Sequence, residues 1–543
     1  MKRLVIFALL LTFISTAATC RRRSSDAVTV ALPEKFTAFD TITTSSSDAA
    51  AERVKNLMFN SLVRKNDDFD YVGELASDFT ASPDGTAITF KLRDGIKFHN
   101  GKAFTSADVK YTFDQLFSSN GYKAGAFFDT VPDTSADAKT QPAAGNTTNS
   151  NAAAPAKPKT KRVAHITSIT APDEHTVVFG ISRASLKNQL LANLVAVPII
   201  ADGTAAQQKD SPMGTGPFKF VSFDASQNIV ELAANPDYWE GAPKVPKLRL
   251  KTITDANSLQ AELATGGVDI APNPNNISAD TLKNMSSASN LKVVQSDGSN
   301  IQYLVLNAQA PPLNNVKIRQ AIAYAIDKQK IVSDLLFNQA KLADSILPPQ
   351  SYAYTPGTKY SYDPEKAKQL LQEAGYKNEP IILKYGSGNL AVNQYSQVIQ
   401  TALTAVGLNV QIETLEVNTI RGQLAQGQFN MYTGVWVGGN TDPMFLRDLF
   451  NSAKIPNDIV PCCNRGRYSN AEVDQETNDA FNSTDRERSK ELYIKAWSKI
   501  SEDVPLVPLW YPANMIVANK RIDNIKINPS GDWGFLKDVT VTN

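Results

Sequence analysis

The chain has 543 residues, too many for one small domain, so we expect two or three domains with large buried cores. Hydrophobic residues make up 42% of it and charged residues 20%, which is typical of a soluble globular protein. The formal net charge of +1 leaves no electrostatic case for a nucleic-acid partner, and we expect none.

The first 19 residues have the layout of a signal peptide. Basic residues at positions 2 and 3 precede an apolar segment, 4–14, that is too short to span a bilayer as a stable helix. Small residues then lead to Cys20 in a pattern that resembles a bacterial lipobox, whose cysteine carries the lipid anchor. Thr19 departs from that pattern, so ordinary cleavage near a small residue is the alternative. Either way we expect export to the bacterial periplasm or cell envelope, with residues 20–27 as a tether.

Residues 28–32 predict a first strand, and residues 49–62 predict a helix with its apolar side chains on one face. The segment between them, 41–47, is rich in hydroxyl groups. Such a run is more often a loop than a binding site.

Residues 90–113 read FKLRDGIKFHNGKAFTSADVKYTF and predict a hairpin followed by a helix. The turn is Asp94-Gly95, and the apolar residues that alternate around it are Phe90, Leu92, Ile96 and Phe98. Thr105 and Asp108 have nearly the spacing of a capping box at the start of the helix. The apolar stripe of that helix consists of Val109, Phe113 and Leu116. Nothing in the segment is suited to bond-breaking chemistry, so it predicts scaffold.

Residues 134–161 are rich in Ala, Asn, Thr, Pro and Lys and carry almost no large apolar side chains. Such a composition cannot compensate the entropy lost on ordering, so we expect a disordered insert. Residues 176–179 then predict a strand.

A glycine-rich turn at 212–218, PMGTGPF, lacks the Lys-Ser/Thr ending and the helix start of a phosphate-binding loop. A structural turn is the favoured interpretation, with glycines that permit unusual backbone angles. From about residue 301, strands and helices alternate, which indicates an α/β domain with helices covering a sheet.

The three cysteines are Cys20 and the adjacent pair Cys462-Cys463. Neighbouring Cα atoms lie about 3.8 Å apart, below the usual span of a disulfide, so two free thiols are favoured over a strained vicinal disulfide. The three histidines are scattered, without the spacing of metal ligands. We therefore predict neither a metal site nor a cofactor.

Several short blocks occur along the chain in a fixed order. They are 90–113, 176–179, 212–218, 235–239 (NPDYW), 316–327 (VKIRQAIAYAID) and 505–510 (PLVPLW). Together they closely resemble the family 5 extracellular solute-binding proteins, the peptide, nickel and oligosaccharide receptors of ABC importers. The resemblance covers nearly the whole mature chain.

The resemblance implies an α/β fold of the periplasmic binding protein class, with two lobes hinged around a ligand cleft and an accessory α+β domain. Lobe I would comprise residues 28–60, 191–290 and 506–543, lobe II residues 291–505, and the accessory domain residues 61–190. It also implies a function. The protein would be a monomer that captures an oligopeptide or a similar polar solute and delivers it to the transmembrane subunits of an ABC permease.

The resemblance places the ligand cleft at residues 434–443, GVWVGGNTDP. In many peptide-binding members an aspartate three positions after the tryptophan pairs with the peptide's amino terminus, but here that position is Gly439. A buried ammonium needs a charged partner, so this departure argues against a peptide held in that way. Asp442 could substitute as the anchor, although it matches a turn that caps local backbone.

Other candidate ligand contacts follow from the same resemblance. Trp436 could stack on a ligand or pack in the core. Gly438 and Gly439 would open space for the ligand. The remaining candidates are Asn440, Ser45, Ser46, Tyr385, Asn389 and Phe127.

Two other classes of function stay open from the residues alone. An envelope hydrolase is one, although the chain has no G-x-S-x-G motif and no cysteine near a histidine in sequence. A sensor co-receptor or a holdase that uses the same cleft is the other.

Overall fold

The structure is a computed structural model that describes residues 27–36, 38–40, 42–44, 49–119, 121–133, 160–274, 276–438, 441–457, 460 and 462–542. The signal peptide, Cys20 and most of the tether lie outside the described residues. So do residues 134–159 of the expected insert. Thr160 and the residue after it already belong to a strand, so the ordered chain resumes before the expected end of the insert at 161.

The strands, in chain order, are β1 (Ala27–Leu32), β2 (Val63–Lys65), β3 (Tyr71–Gly73), β4 (Ala76–Ala81), β5 (Ala87–Leu92), β6 (Phe128–Pro132), β7 (Thr160–Ala164), β8 (Ile166–Asp173), β9 (Thr176–Ile181), β10 (Phe218–Asp224), β11 (Ile229–Ala234), β12 (Lys247–Thr252), β13 (Ile270–Pro272), β14 (Leu291–Ser296), β15 (Ile301–Leu306), β16 (Ala340–Leu342), β17 (Ile381–Gly386), β18 (Val410–Leu415), β19 (Met431–Trp436), β20 (Leu506–Pro512), β21 (Asn514–Asn519), β22 (Ile522–Asp523) and β23 (Thr540–Val541).

The helices are α1 (Ala49–Met58), α2 (Ser106–Ser119), α3 (Lys187–Val195), α4 (Ala256–Thr265), α5 (Ala279–Met285), α6 (Val316–Ala325), α7 (Pro364–Glu373), α8 (Leu390–Ala405), α9 (Val417–Gln426), α10 (Phe445–Phe450), α11 (Ala471–Asn482) and α12 (Arg486–Asp503). Short helical turns lie at Tyr122–Phe127, Ala184–Leu186, Ala205–Lys209, Lys328–Lys330, Ile331–Leu335, Ser452–Lys454 and Gly534–Lys537.

Two large sheets organise the chain. The first has seven strands in the order β10-β11-β12-β1-β13-β21-β14, and the second has six in the order β16-β20-β15-β19-β17-β18. β1 pairs in parallel with β12 and β13, and β15 is buried along its whole length. Because both strands are covered on both faces, their sequences are almost continuously apolar rather than alternating.

The chain passes between the two sheets at two places. One is the segment 297–300 between β14 and β15, and the other is Ala513 between β20 and β21. We call the described residues of 27–296 and 514–542 the first body and those of 301–512 the second body. These crossings lie later than the boundaries at 290 and 505 that the resemblance suggested. The division into lobes itself stays a prediction.

Each of the four hydrophobic clusters lies wholly within one body. The largest joins the first sheet to a four-stranded antiparallel sheet in the order β4-β5-β9-β8, and a smaller one covers the other face of the first sheet. Two further clusters cover the faces of the second sheet. Because no described apolar core spans the two bodies, burial of apolar surface does not lock them in one arrangement.

The four-stranded sheet corrects the hairpin predicted at 90–98. β5 does not pair with the segment after Asp94-Gly95; it pairs with β4 on one side and β9 on the other. Residues 96–104 instead fold back on themselves, with hydrogen bonds from Phe98 to Lys102 and from Phe104 to Ile96. The alternation correctly predicted burial, since its four apolar residues are all buried, but burial does not specify a partner strand.

The start of α2 confirms the capping prediction in part. Asp108 accepts hydrogen bonds from the backbone N–H of Thr105 at 2.9 Å and from its hydroxyl at 3.2 Å. The hydroxyl therefore donates to the carboxylate instead of accepting from the helix. The three residues of the predicted stripe are buried.

The turn at 212–218 is structural, as predicted, but for another reason. Neither Gly214 nor Gly216 has a positive φ. Instead, a Cβ atom on either glycine would overlap the carbonyl group of Met58 at the end of α1. The N–H of Gly216 donates to that carbonyl oxygen at 2.9 Å. Close approach of two backbones thus requires glycine here.

Cys462 and Cys463 are bonded to each other in a vicinal disulfide, with a cis peptide between them and Cα atoms 3.1 Å apart. The favoured expectation of two free thiols is wrong. It assumed the wider spacing of a trans peptide.

A buried carboxylate ties the β2–β3 ribbon to the segment that follows α1. Glu74 accepts hydrogen bonds from the Asn60 amide at 2.8 Å and from the backbone N–H of Ser61 at 2.7 Å. Burial raises its pKa from 4.5 to about 7, against the opposing effect of these hydrogen bonds and of Arg64. The folded protein therefore binds the Glu74 proton more tightly than the unfolded chain does.

The Glu74→Gln variant tests this shift. As pH rises from about 4.5 through 7, the wild type must ionise a buried carboxyl group, which lowers the free energy of unfolding by up to about 3 kcal/mol. We expect denaturant unfolding of the variant to lose less stability between pH 5 and pH 8 than the wild type does. The exposed Glu174→Gln is the matched control, and a variant with the pH dependence of the wild type would contradict the shift.

Candidate ligand-binding site

Several strands in each sheet have their carboxyl ends on the side of the crossings. β14 runs toward the crossing at 297–300, and β1, β12 and β13 run in the same direction. β15 runs away from that crossing, so its antiparallel neighbours β19 and β20 run toward it, as does β17. The carboxyl ends of the central strands of the two sheets therefore face each other across the crossings. Ligands of α/β sheets bind outside carboxyl ends.

Trp436 is the last residue of β19 and pairs with Ile301, the first residue after a crossing. Its ring is partly buried and lies edge-to-face with Phe445, with centroids 4.8 Å apart. The Arg465 guanidinium lies 5.9 Å from the ring centroid. The indole thus packs on the second body while keeping part of its surface exposed at the edge of the sheet.

Gly438 follows at the same edge, with a φ of +79° and no atom within 4 Å of the position of a Cβ. Its N–H donates to the side-chain oxygen of Asn300 in the crossing at 3.2 Å. The space that the sequence predicted at Gly438 is present. Gly439, Asn440, Ser45 and Ser46 lie outside the described residues.

Tyr385 and Asn389 belong to the adjacent β17–α8 connection. Tyr385 is buried and donates from its hydroxyl to the side-chain oxygen of Asn393 at 3.0 Å. Asn389 is exposed, and its side-chain oxygen caps α8 by accepting from the N–H of Val392 at 3.1 Å. Both residues lie at the carboxyl edge of the second sheet, like Trp436, but their polar side-chain groups already have protein partners.

Phe127 does not join this group. It is buried in the aromatic core of the first body, against Phe113 at 5.8 Å and Phe117 at 5.6 Å between ring centroids. Its role in the structure is packing.

Asp442 connects the two bodies. One carboxylate oxygen accepts from the Tyr71 hydroxyl at 2.8 Å, and the other accepts from the backbone N–H of Met444 at 3.0 Å. The residue therefore caps local backbone, as one interpretation predicted, and also holds a side chain of the β2–β3 ribbon. Next to it, Thr441 accepts a hydrogen bond from the Lys65 ammonium at 2.6 Å.

A third contact joins the same ribbon to α12. Arg486 forms an ion pair with Asp70 and lies over the ring of Tyr352 at 4.7 Å. We call the residues Lys65, Asp70, Tyr71, Thr441, Asp442 and Arg486 the clasp. Sequence reasoning missed the partners of Asp442, because the clasp joins positions more than 370 residues apart.

Burial dominates the electrostatics of the clasp. It lowers the pKa of Lys65, and Asp442 opposes that change. It raises the pKa of Tyr71, and Asp442 adds to the rise because a second negative charge beside it is unfavourable. Tyr71 therefore keeps its proton near pH 7, and its hydroxyl donates a hydrogen bond to the carboxylate.

Apolar side chains remain exposed around the edge of the second sheet. Val435 is 49% exposed, Val437 69% and Leu390 58%. Large exposed apolar side chains that cluster at one edge indicate a surface that a ligand or a partner covers.

The described part of the chain contains no group of three or more His, Cys, Asp or Glu residues that could hold a metal ion. None of its helices is both long enough and apolar enough to cross a membrane.

Comparison with known proteins connects this geometry to a family. The family described as "Bacterial extracellular solute-binding proteins, family 5 Middle" matches residues 70–458, well over half of the chain. Among curated relatives, heme-binding protein A of Haemophilus influenzae is 27% identical, over 96% of this chain and 94% of its own. The oligopeptide-binding protein AppA of Bacillus subtilis is also 27% identical, over 90% and 87% of the two chains.

Solved structures share the fold. The substrate-binding protein CtaP from Listeria monocytogenes superposes with a TM-score of 0.79 at 20% identity, over 95% of this chain and 99% of that one. AppA from Bacillus subtilis, in complex with a nonapeptide, gives a TM-score of 0.71 at 24% identity, over 95% of this chain and 99% of that one. These matches confirm the expected α/β class of periplasmic binding protein. The family binds solutes and is not enzymatic, which excludes the hydrolase alternative. This chain belongs to the bacterial extracellular solute-binding proteins of family 5.

Proposed function

We propose that this protein captures an oligopeptide or a similar polar solute between its two bodies and delivers it to the transmembrane subunits of an ABC permease. One observation carries the proposal: the carboxyl edges of two sheets face each other, and the chain crosses between them at two short segments. Such a pair of crossings acts as a hinge, and a solute that contacts both edges stabilises the closed arrangement.

The clasp supports closure as the mechanism. Its three polar contacts join the bodies without an apolar core between them, so they can form and break as the cleft closes and opens. The energy of closing then comes from the solute together with a few hydrogen bonds. A small free energy of closure suits a receptor that must also release its solute.

The exposed edge suits a solute with apolar groups and backbone-like amides. Val435 and Val437 offer apolar contacts, and the side chain of Asn300 places an amide group beside them. A relative that carries a nonapeptide and one named for heme binding both share this fold or family. We infer a peptide because the relative AppA carries one and because the exposed edge supplies apolar contacts for its side chains.

We further propose that the mature protein begins at Cys20 and carries a lipid there. The basis is the lipobox-like sequence before that cysteine. The anchor would hold the receptor close to its permease at the membrane. Mass spectrometry of the mature N-terminus tests this, because a lipidated cysteine and an unmodified cleavage end differ in mass.

The solute itself can be identified by purifying the protein from its native cells and releasing the bound material with denaturant. We expect peptides, which should rebind saturably and be recovered unchanged. Release of chemically altered solute would contradict the receptor function. If no saturable solute is found, the sensor or holdase role that uses the same cleft would be favoured.

The Trp436→Leu variant tests the edge of β19 as the binding surface. Loss of an aromatic face that contacts the solute should weaken affinity by about tenfold, measured by calorimetry with the identified peptide. Val221→Ala is the control, because Val221 is exposed on β10, at the far side of the first sheet from the crossing strand β14. An affinity of Trp436→Leu within twofold of the wild type would argue that the solute binds elsewhere.

The Tyr71→Phe variant tests the clasp. It removes the hydroxyl that donates to Asp442 and leaves one oxygen of that carboxylate without its donor in the closed state, so the bound solute should dissociate about five times faster. Stopped-flow fluorescence measures this rate. Tyr362→Phe, at an exposed tyrosine, is the matched control. Equal rates for the two variants would show that the clasp does not hold the closed state.

A further inference from the structure

The vicinal disulfide of Cys462 and Cys463 has no part in the proposed function, yet it lies beside the candidate binding edge. Cys463 lines the same narrow space as Trp436 and Arg465. Its side chain packs, like that of Trp436, against a hydrophobic cluster on one face of the second sheet. The disulfide therefore shares its surroundings with the indole at the end of β19.

Both cysteines are partly exposed, so the pair is open to solvent on one side. The family to which the chain belongs is extracellular, where disulfides persist until a reductant attacks them. Such an attack begins with a thiolate that approaches one sulfur, and its rate depends on access to that sulfur. Reagents in solution can therefore reach this disulfide while the protein is folded.

Asn464 fixes the chain directly after the disulfide. It is fully buried, and its side-chain amide donates to the carbonyl oxygens of Asn451 at 3.1 Å and Tyr468 at 2.8 Å. Its backbone N–H donates to the carbonyl oxygen of Lys454 at 3.0 Å. These bonds tie the two ends of the segment 451–464 together without the disulfide, so opening the disulfide should leave the surrounding fold intact.

Opening the disulfide changes the packing beside Trp436. Bonded sulfurs lie about 2.05 Å apart, whereas two sulfurs that only touch need about 3.5 to 4 Å. Because Asn464 holds the backbone, side chains around Cys463 take up this added separation. The backbone N–H of Arg465 donates to the carbonyl oxygen of Cys463 at 2.7 Å, and the guanidinium lies 5.9 Å from the centroid of the Trp436 ring. Both side chains are thus placed to respond.

We propose that Cys462 and Cys463 form a redox switch at the edge of the candidate cleft. A dithiol reductant attacks through one thiolate, forms a mixed disulfide with one cysteine and frees the thiolate of the other; its second thiol then displaces the first cysteine. The pair gains two electrons and two protons and becomes two thiols, while the reductant becomes a disulfide. The inference rests on the proposed function, in which Trp436 contacts the solute, because reduction alters the surface that Trp436 presents to it.

Peptide mapping tests whether the pair exchanges in the folded protein. The mature protein is treated with dithiothreitol without denaturant, labelled with N-ethylmaleimide and digested with trypsin, which cuts after Lys454 and Arg465. The resulting peptide 455–465 contains both cysteines of the pair. We expect two labels on it, at a rate within about tenfold of that in urea-unfolded protein, because the disulfide is open to solvent.

The indole N–H signals of protein labelled with ¹⁵N-tryptophan report the consequence at β19. Trp436→Phe and Trp533→Phe assign two of these signals, and Trp533, in the core of the first body, is the internal control. Reduction should shift the Trp436 signal and leave the Trp533 signal unchanged, and reoxidation with diamide should restore the first. In the double variant Cys462→Ser with Cys463→Ser, dithiothreitol should change neither signal.

The switch is overturned if the pair stays unlabelled until the protein is unfolded, or if reduction leaves the Trp436 signal where it was. Far-ultraviolet circular dichroism is recorded before and after reduction. Unfolding on reduction would also overturn the switch, because the disulfide would then be needed for the fold. Neither measurement uses a solute, so a failed search for the natural solute bears on the proposed function alone.

Discussion

Everything about the candidate site depends on how the chain joins the two sheets. One joint is four residues long and the other is a single alanine, and they lie side by side because β14 pairs with β21 and β15 pairs with β20. The pairing fixes the direction of the neighbouring strands, so their carboxyl ends must face one another. Each of the four hydrophobic clusters lies within one of the two bodies. The position of the candidate cleft thus follows from topology, and the loops around it supply the side chains that a solute would contact.

The clasp suits the proposed closure, because its contacts would not hold the two bodies together permanently. A large apolar interface between the bodies would stabilise the closed state whether or not a solute is present. Hydrogen bonds from Tyr71 and Lys65 contribute much less, because each one replaces a hydrogen bond to water. If the open and closed states differ little in free energy, binding of the solute determines which state is populated. A receptor requires this.

The sequence predicted the fold class and most individual elements, because these follow from local patterns and from blocks that occur in a family order. The helix expected after Thr105 is α2, and the strand expected at 176–179 is β9. Pairing was less predictable: the alternation at 90–98 identified buried side chains but not β4 and β9 as the partners of β5. The contact of Asp442 with Tyr71 could not be predicted, since the two residues are 371 positions apart in sequence.

The charges at the edge of the second sheet bear on the departure at Gly439. If Asp442 were to replace the missing aspartate as an anchor for a ligand's ammonium, its carboxylate would have to be free. Instead it accepts from Tyr71 and from the Met444 backbone, and the Lys65 cation already lies within its electrostatic influence. A second ammonium there would meet a carboxylate with few lone pairs left and a like charge beside it. In the described structure this carboxylate therefore serves the clasp, and it does not replace the aspartate that is missing at Gly439.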